Sequence, residues 1–154
     1  IFYDAIRPLG EKLGPVLFQL PPSMKRDPSL LARFLDILPR EYRAVFEFRN
    51  TAWYGDDLLR LLDNAGCAFC IQDLPGCVSP VAVTGNFAYV RFHGAQQAYA
   101  SSYSDEELGR WAERLCEFIQ KGIDVFVYFN NDAYGYAVEN ARTLKGIAGK
   151  YCAA

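Results

Sequence analysis

Polar side chains gather at the ends of five short apolar runs in this chain, and their types suit binding and proton transfer. Gln19 lies near the end of Val16 to Leu20. Glu47 and Arg49 stand two apart at the end of Arg43 to Phe48. Gln72 and Asp73 end the run from Cys67, and Arg91 and His93 end the run from Phe87, with Tyr89 one step below. Tyr128 and Asn130 close the run from Asp124, followed by Asn131 and Asp132. On an extended strand, residues two apart share a face. Glu47 with Arg49, and Arg91 with His93, therefore form two same-face pairs.

The chemistry this set could perform is general acid–base catalysis. A carboxylate near an arginine is tuned by burial and neighbouring charge, which makes Glu47 the leading acid/base candidate. His93 is the chain's single histidine, of the residue type that titrates near neutral pH. Asp132 completes the catalytic candidates. Arg49 and Arg91 could grip an anionic group bidentately. Gln19, Trp53, Asp73, Tyr128, Asn130 and Asn131 are the remaining candidates for substrate contact. The bland alternatives stay open: Glu47 with Arg91 as an interior ion pair, and Asp73 and Asp132 as caps of turns or helices. Asn130 to Gly135 precedes a helix whose backbone N–H groups could receive a phosphate, although Asp132 would repel one.

Two other function classes fit the same residues. Glu47, Asp73, His93 and Asp132 are oxygen and nitrogen donors for a divalent metal, but one histidine without an HxH or HExxH pattern is a poor zinc signature. No cofactor is expected, with a divalent metal as the alternative. A non-catalytic binding protein would use the aromatic supply of Trp53, Tyr54, Tyr99, Tyr103, Tyr134 and Tyr136. Phosphate-loop, Rossmann and serine-elbow motifs are absent from the sequence.

The elements that must position these groups alternate strand and helix. Leu30 to Leu38 and Asp56 to Ala65 read as amphipathic helices, the first with Asp27 as a possible cap. Ser104 and Glu107 have capping-box spacing at the start of a helix running to about Lys121, and Tyr136 to Ala148 is the last helix. Residues 1–13 read as a helix broken at Pro8, and residues 74–86 as a loop. The order β-α-β-α-β-loop-β-α-β-α, with nearly continuous apolar strands, implies a parallel α/β sheet covered on both faces. Ligands bind such sheets at the C-terminal strand ends, where the polar residues fall. The whole chain, 1–154, reads as one domain.

Composition narrows the function classes. The 154 residues carry a net charge of −2, with 51% hydrophobic and 22% charged residues. Without a basic surplus, nucleic acid is an unlikely main partner; a small molecule fits better. No apolar run approaches the ~20 residues of a membrane span. Five cysteines in apolar stretches read as reduced thiols of a cytoplasmic protein, and Cys67 and Cys70, three apart on a strand, point to opposite faces.

Four segments resemble the YecE-like family, domain of unknown function 72. They are Gly14-Pro15-Val16-Leu17-Phe18-Gln19-Leu20-Pro21-Pro22-Ser23; Phe46-Glu47-Phe48-Arg49-Asn50 with Trp53; Tyr89-Val90-Arg91-Phe92-His93-Gly94; and Tyr128-Phe129-Asn130-Asn131-Asp132 with Gly135, Ala137, Asn140 and Ala141. The sequence departs from the family pattern at Met24, where Phe is common, and at Thr51-Ala52, where Pro-Ser is common. The resemblance implies a TIM-like β/α barrel of undetermined activity, present here as a partial barrel of about five strands. A barrel of about 250 residues would leave about 100 residues, roughly three strands, outside this chain. The expected partners are then a small-molecule ligand and either the absent N-terminal part of the barrel or a second copy of the chain, since open sheet edges pair.

Overall fold

The structure is a computed structural model, and it describes residues 2–152. The chain opens with helix α1 (Phe2–Ile6) and a 3-10 segment (Arg7–Lys12) interrupted at Gly10. Five strands and four further α-helices follow: β1 (Val16–Leu20), α2 (Pro28–Asp36), β2 (Ala44–Phe48), α3 (Asp56–Asn64), β3 (Ala68–Asp73), β4 (Phe87–Phe92), α4 (Asp105–Gln120), β5 (Asp124–Phe129) and α5 (Tyr136–Tyr151). All pairings are parallel and the strand order is β1-β2-β3-β4-β5. The sheet is open. Among the described residues, β1 pairs only with β2, and β5 only with β4.

Local signals explain most boundaries. Asp27 caps α2 by accepting from the Leu30 N–H at 2.9 Å, with Pro28 at its first position. The capping box of α4 forms as its spacing predicts. Ser104 accepts from the Glu107 N–H, and the Glu107 carboxylate accepts from the Ser104 N–H. Residues 74–86 form the helix-free connection between β3 and β4.

The helices crowd one face of the sheet. Leu31 and Leu35 of α2, Leu58 and Leu62 of α3, Leu108 and Leu115 of α4 and Leu144 of α5 join one core with Phe46, Phe48, Phe69, Ile71, Val90 and Phe92 from the strands. Alternate strand residues Val45, Ala68, Cys70, Phe87 and Tyr89 form a second, smaller cluster with Leu17 and Phe126. The two clusters are the two faces of one pleated sheet. At the N-terminal strand ends, the Arg43 guanidinium lies over the rings of Phe87 and Phe126 and pairs with Asp124 at 2.7 Å.

One expectation about cysteine is corrected. Cys116 of α4 and Cys152, just beyond α5, form a disulfide, so the five cysteines are not all reduced; Cys67, Cys70 and Cys77 are free and buried. The two helices pack side by side, which brings residues 36 apart in sequence within bonding reach. Spacing alone carries no trace of that. No described helix is long and apolar enough to cross a membrane.

Candidate functional site

Glu47 is the centre of the polar cluster. It faces away from the helices, beside Val45 and above Cys70, and is fully buried. Its carboxylate is ion-paired on one oxygen with Arg49 Nε and on the other with Arg91 Nη1. Both arginine side chains are largely sheltered, at 9% and 15% exposure. A carboxylate without solvent is stable as an anion only when paired this closely. Burial works most strongly against the charge on Arg49, but the Glu47 carboxylate and the Tyr99 hydroxyl together outweigh it, so its pKa is raised.

Arg49 spends its donors within the protein. Beyond Glu47, Nη1 donates to the Tyr99 hydroxyl at 2.9 Å, and Nη2 approaches Gln19 Oε1 at 3.4 Å and His93 Nε2 at 3.3 Å. Arg91 donates from Nε to Asn130 Oδ1 at 3.0 Å and from Nη1 to Gln19 Oε1 at 3.3 Å. Its Nη2 has no hydrogen-bond partner among the described residues. The strand register explains the convergence: Gln19 lies opposite Glu47, and Arg91 opposite Tyr128.

His93 is fully buried behind this network. Burial first, then the positive charges of Arg49 and Arg91, push its pKa down from 6.5 to about 3. The ring is therefore neutral near pH 7. A guanidinium can only donate, so Nε2 is the accepting nitrogen and the proton sits on Nδ1, which is buried without a partner. The cluster of Glu47, Arg49, Arg91 and neutral His93 thus retains one positive charge.

The structure brings together Gln19, Glu47, Arg49, Arg91, His93 and Asn130. Tyr128 borders them, 43% exposed and stacked on Tyr89 at 4.9 Å between centroids. Four other candidates lie elsewhere or apart. Trp53 is 1% exposed, packs on Phe48 and donates from Nε1 to the Met24 carbonyl, so it belongs to the core under the helices. Asp73 is in register with Phe92, a residue of that same core, and shares a cleft with Tyr103, Glu107 and Arg110. Burial raises its pKa. Asn131 is fully buried and donates to Asn140 Oδ1 at 2.8 Å and to the Ser101 carbonyl at 2.9 Å. Asp132 is exposed ahead of a 3-10 turn, with no hydrogen bond or ion pair to the cluster. Among the described residues, no three His, Cys, Asp or Glu side chains are grouped to hold a metal.

Tyr99 was legible in the sequence only as one aromatic among several, yet it meets both Arg49 and the His93 ring. Gln72, one of the polar strand-end residues, makes no hydrogen bond to the cluster and bonds Phe48, Tyr54 and Cys77 instead. Above Phe46↔Phe69 the β2–β3 ladder stops, and the Gln72 side-chain amide donates to the Phe48 carbonyl at 2.9 Å in its place.

Comparison with known proteins matches residues 1–153 to the family described as protein of unknown function DUF72. The chain belongs to the DUF72 family. The crystal structure of a DUF72 family protein from Thermotoga maritima MSB8 is similar at a TM-score of 0.85 and 30% identity, covering 96% of this chain and 63% of that one. A DUF72 family protein from Enterococcus faecalis V583 shares the fold at a TM-score of 0.84 and 22% identity, over 96% of this chain and 64% of that one. The UPF0759 protein YunF of Bacillus subtilis (strain 168) is 29% identical over 162 residues, covering 88% of this chain and 57% of its own length. This DUF72 chain therefore spans about three-fifths of the relatives it matches.

Proposed function

We propose that this DUF72 protein holds a small oxyanion-bearing molecule at the C-terminal strand ends and acts on it by acid–base chemistry of the hydrolase or lyase kind. The observation that carries the reading is the sheltered pair Arg49 and Arg91 sharing the buried carboxylate of Glu47. Glu47 aligns both guanidinium groups and cancels one charge. The remaining positive charge, in a site with little water, favours an anion. A neutral imidazole with a free Nδ1–H can donate to oxygen as negative charge develops, which is the part proposed for His93. Glu47, already engaged on both oxygens, serves as the anchor of the arginines.

The reading includes closure of the sheet into a TIM-like barrel. Consecutive strand order with every helix on one face supports it, because doubly wound sheets reverse their strand order and carry helices on both faces. The further length of the relatives is enough for additional strands. A cytoplasmic location is part of the same proposal, as is self-association of this chain through β1 and β5 when no other strands cover them. A concentration-independent monomer in sedimentation velocity would remove the self-association.

The test is a thermal-shift and calorimetric screen of phosphorylated and carboxylated small molecules, followed by turnover assays on those that bind. Binding should vanish in Arg91→Gln, and turnover should fall in His93→Gln with binding kept. If no anion gives a shift that Arg91→Gln removes, the reading is wrong. A non-catalytic binding protein is the second reading, favoured by the exposed face of Tyr128 beside Arg91, on which a planar ring could stack. Retention of ligand without turnover selects it.

A further inference from the structure

The proposed oxyanion site is closed by Tyr99, a residue whose backbone is held in an unfavourable conformation. Tyr99 has φ +66, in the left-handed region that bulky residues rarely enter. The loop is pinned on both sides of it. Gly94, at φ +110, is packed so closely on the Gln97 carbonyl that a Cβ would collide with it. The Ser101 hydroxyl accepts from the N–H groups of Gln96 and Gln97, the Tyr99 N–H donates to the His93 carbonyl, and its own carbonyl accepts from Ala133. Strain of this kind persists where surrounding contacts over-determine it, and it concentrates at ligand sites.

The side chain has no comparable hold. Tyr99 is 48% exposed, its ring stands edge-on to His93 at 5.5 Å, and its hydroxyl is bound by Arg49 Nη1. Two nitrogens of the same cluster have no hydrogen-bond partner among the described residues: the buried Nδ1 of His93 and Nη2 of Arg91.

Resting on the oxyanion reading above, we infer that the Tyr99 hydroxyl occupies on Arg49 the place of a ligand oxygen, and that a carboxylate or phosphate group displaces it and lifts the ring from His93. A neutral hydroxyl is a weaker acceptor for a guanidinium than a charged oxygen, so the exchange favours the ligand. The ligand class is a small molecule whose oxyanion reaches Arg49 and Arg91 together. Bidentate contact requires two oxygens on one centre, which both carboxylate and phosphate supply.

The test uses this chain, inorganic phosphate and acetate as probes, and two variants. Tyr99→Phe removes the competing hydroxyl and keeps the ring. Tyr99→Gly removes the cover and suits the left-handed backbone. Affinity for whichever probe binds should rise about tenfold in Tyr99→Phe, the worth of one hydrogen bond to a charged group. Because His93 is the only histidine, its modification by diethyl pyrocarbonate reports the cover directly. Modification should be slow in the parent and fast in Tyr99→Gly. Stronger binding of phosphate than acetate, or the reverse, identifies the group. Unchanged or weakened affinity in Tyr99→Phe, or equal modification rates in parent and Tyr99→Gly, overturns the inference even if Arg91-dependent binding is present. Absence of Arg91-dependent binding to every anion in the wider screen instead overturns the oxyanion reading beneath it.

Discussion

Glu47 on β2 and Arg91 on β4 form an ion pair that crosses the intervening strand β3, over Cys70, whose sulfur lies 3.9 Å from Glu47 Oε2. The pair ties three strands together at the level where the β2–β3 ladder has already ended. Burial together with the carboxylate's charge raises the Cys70 thiol well above its ordinary pKa, so it stays protonated under the carboxylate.

Removing the Glu47 charge leaves two sheltered guanidinium groups facing each other. Glu47→Gln should destabilise the fold by about 3–5 kcal/mol, the cost of breaking a buried pair from one side. Urea unfolding at neutral pH measures it. A loss below about 1 kcal/mol would mean that the arginines are solvated like surface pairs.

The neutral His93 makes stability depend on pH with a definite sign. Its pKa in the folded state, about 3, lies below the ordinary 6.5 of an unfolded chain, so between these values only the unfolded state takes up the proton. The stabilisation is fully present above 6.5 and is lost as pH falls toward 3. The slope from this one group approaches about 1.4 kcal/mol per pH unit. Urea midpoints from pH 7 to pH 4.5 should show it in the parent and show less of it in His93→Gln. A His93 C2–H resonance that titrates with a midpoint near 6.5 would contradict the buried neutral ring.

Asn140 of α5 holds the loop that carries Tyr99. Its Oδ1 accepts from the Tyr103 N–H at 3.1 Å and from Asn131 at 2.8 Å, and its Nδ2 donates to the Tyr103 carbonyl at 3.2 Å. Asn140→Ala strands several buried polar groups and should cost about 2–4 kcal/mol, at about 1–3 kcal/mol for each group left unsatisfied. Hydrogen exchange should speed up at Tyr103 ahead of the sheet amides. Protection that falls evenly across the chain would show that Asn140 acts on global stability alone.

The Cys116–Cys152 disulfide fastens the end of α5 to α4. Cys152→Ser, or reduction, should lower stability by about 2–4 kcal/mol. Thiol titration of the unfolded, unreduced chain should find the three free cysteines, and five after reduction. Five without reductant would show that the bridge is not formed.

The sequence by itself determined the order of strands and helices, the parallel sheet, the capping of α2 and α4, and the same-face relation of Glu47 with Arg49 and of Arg91 with His93. Those features follow from periods of 2 and 3.6 residues and from cap chemistry, which are local. The four family motifs were legible as well. Tertiary structure alone decided which polar strand ends meet. Asp73 sits one residue past Gln72, and the pleat turns it toward the helices; Trp53 fills the core beside Phe48 although it stands only three residues past Asn50 of the strand-end motif. Tyr99 reaches Arg49 only because the β4–α4 connection, residues 93–104, folds back through Gly94 and a left-handed Tyr99, and Cys116 meets Cys152 only because α4 and α5 pack together. Contacts between residues 36 or 50 positions apart depend on how elements stack, and no local period in the sequence encodes that distance.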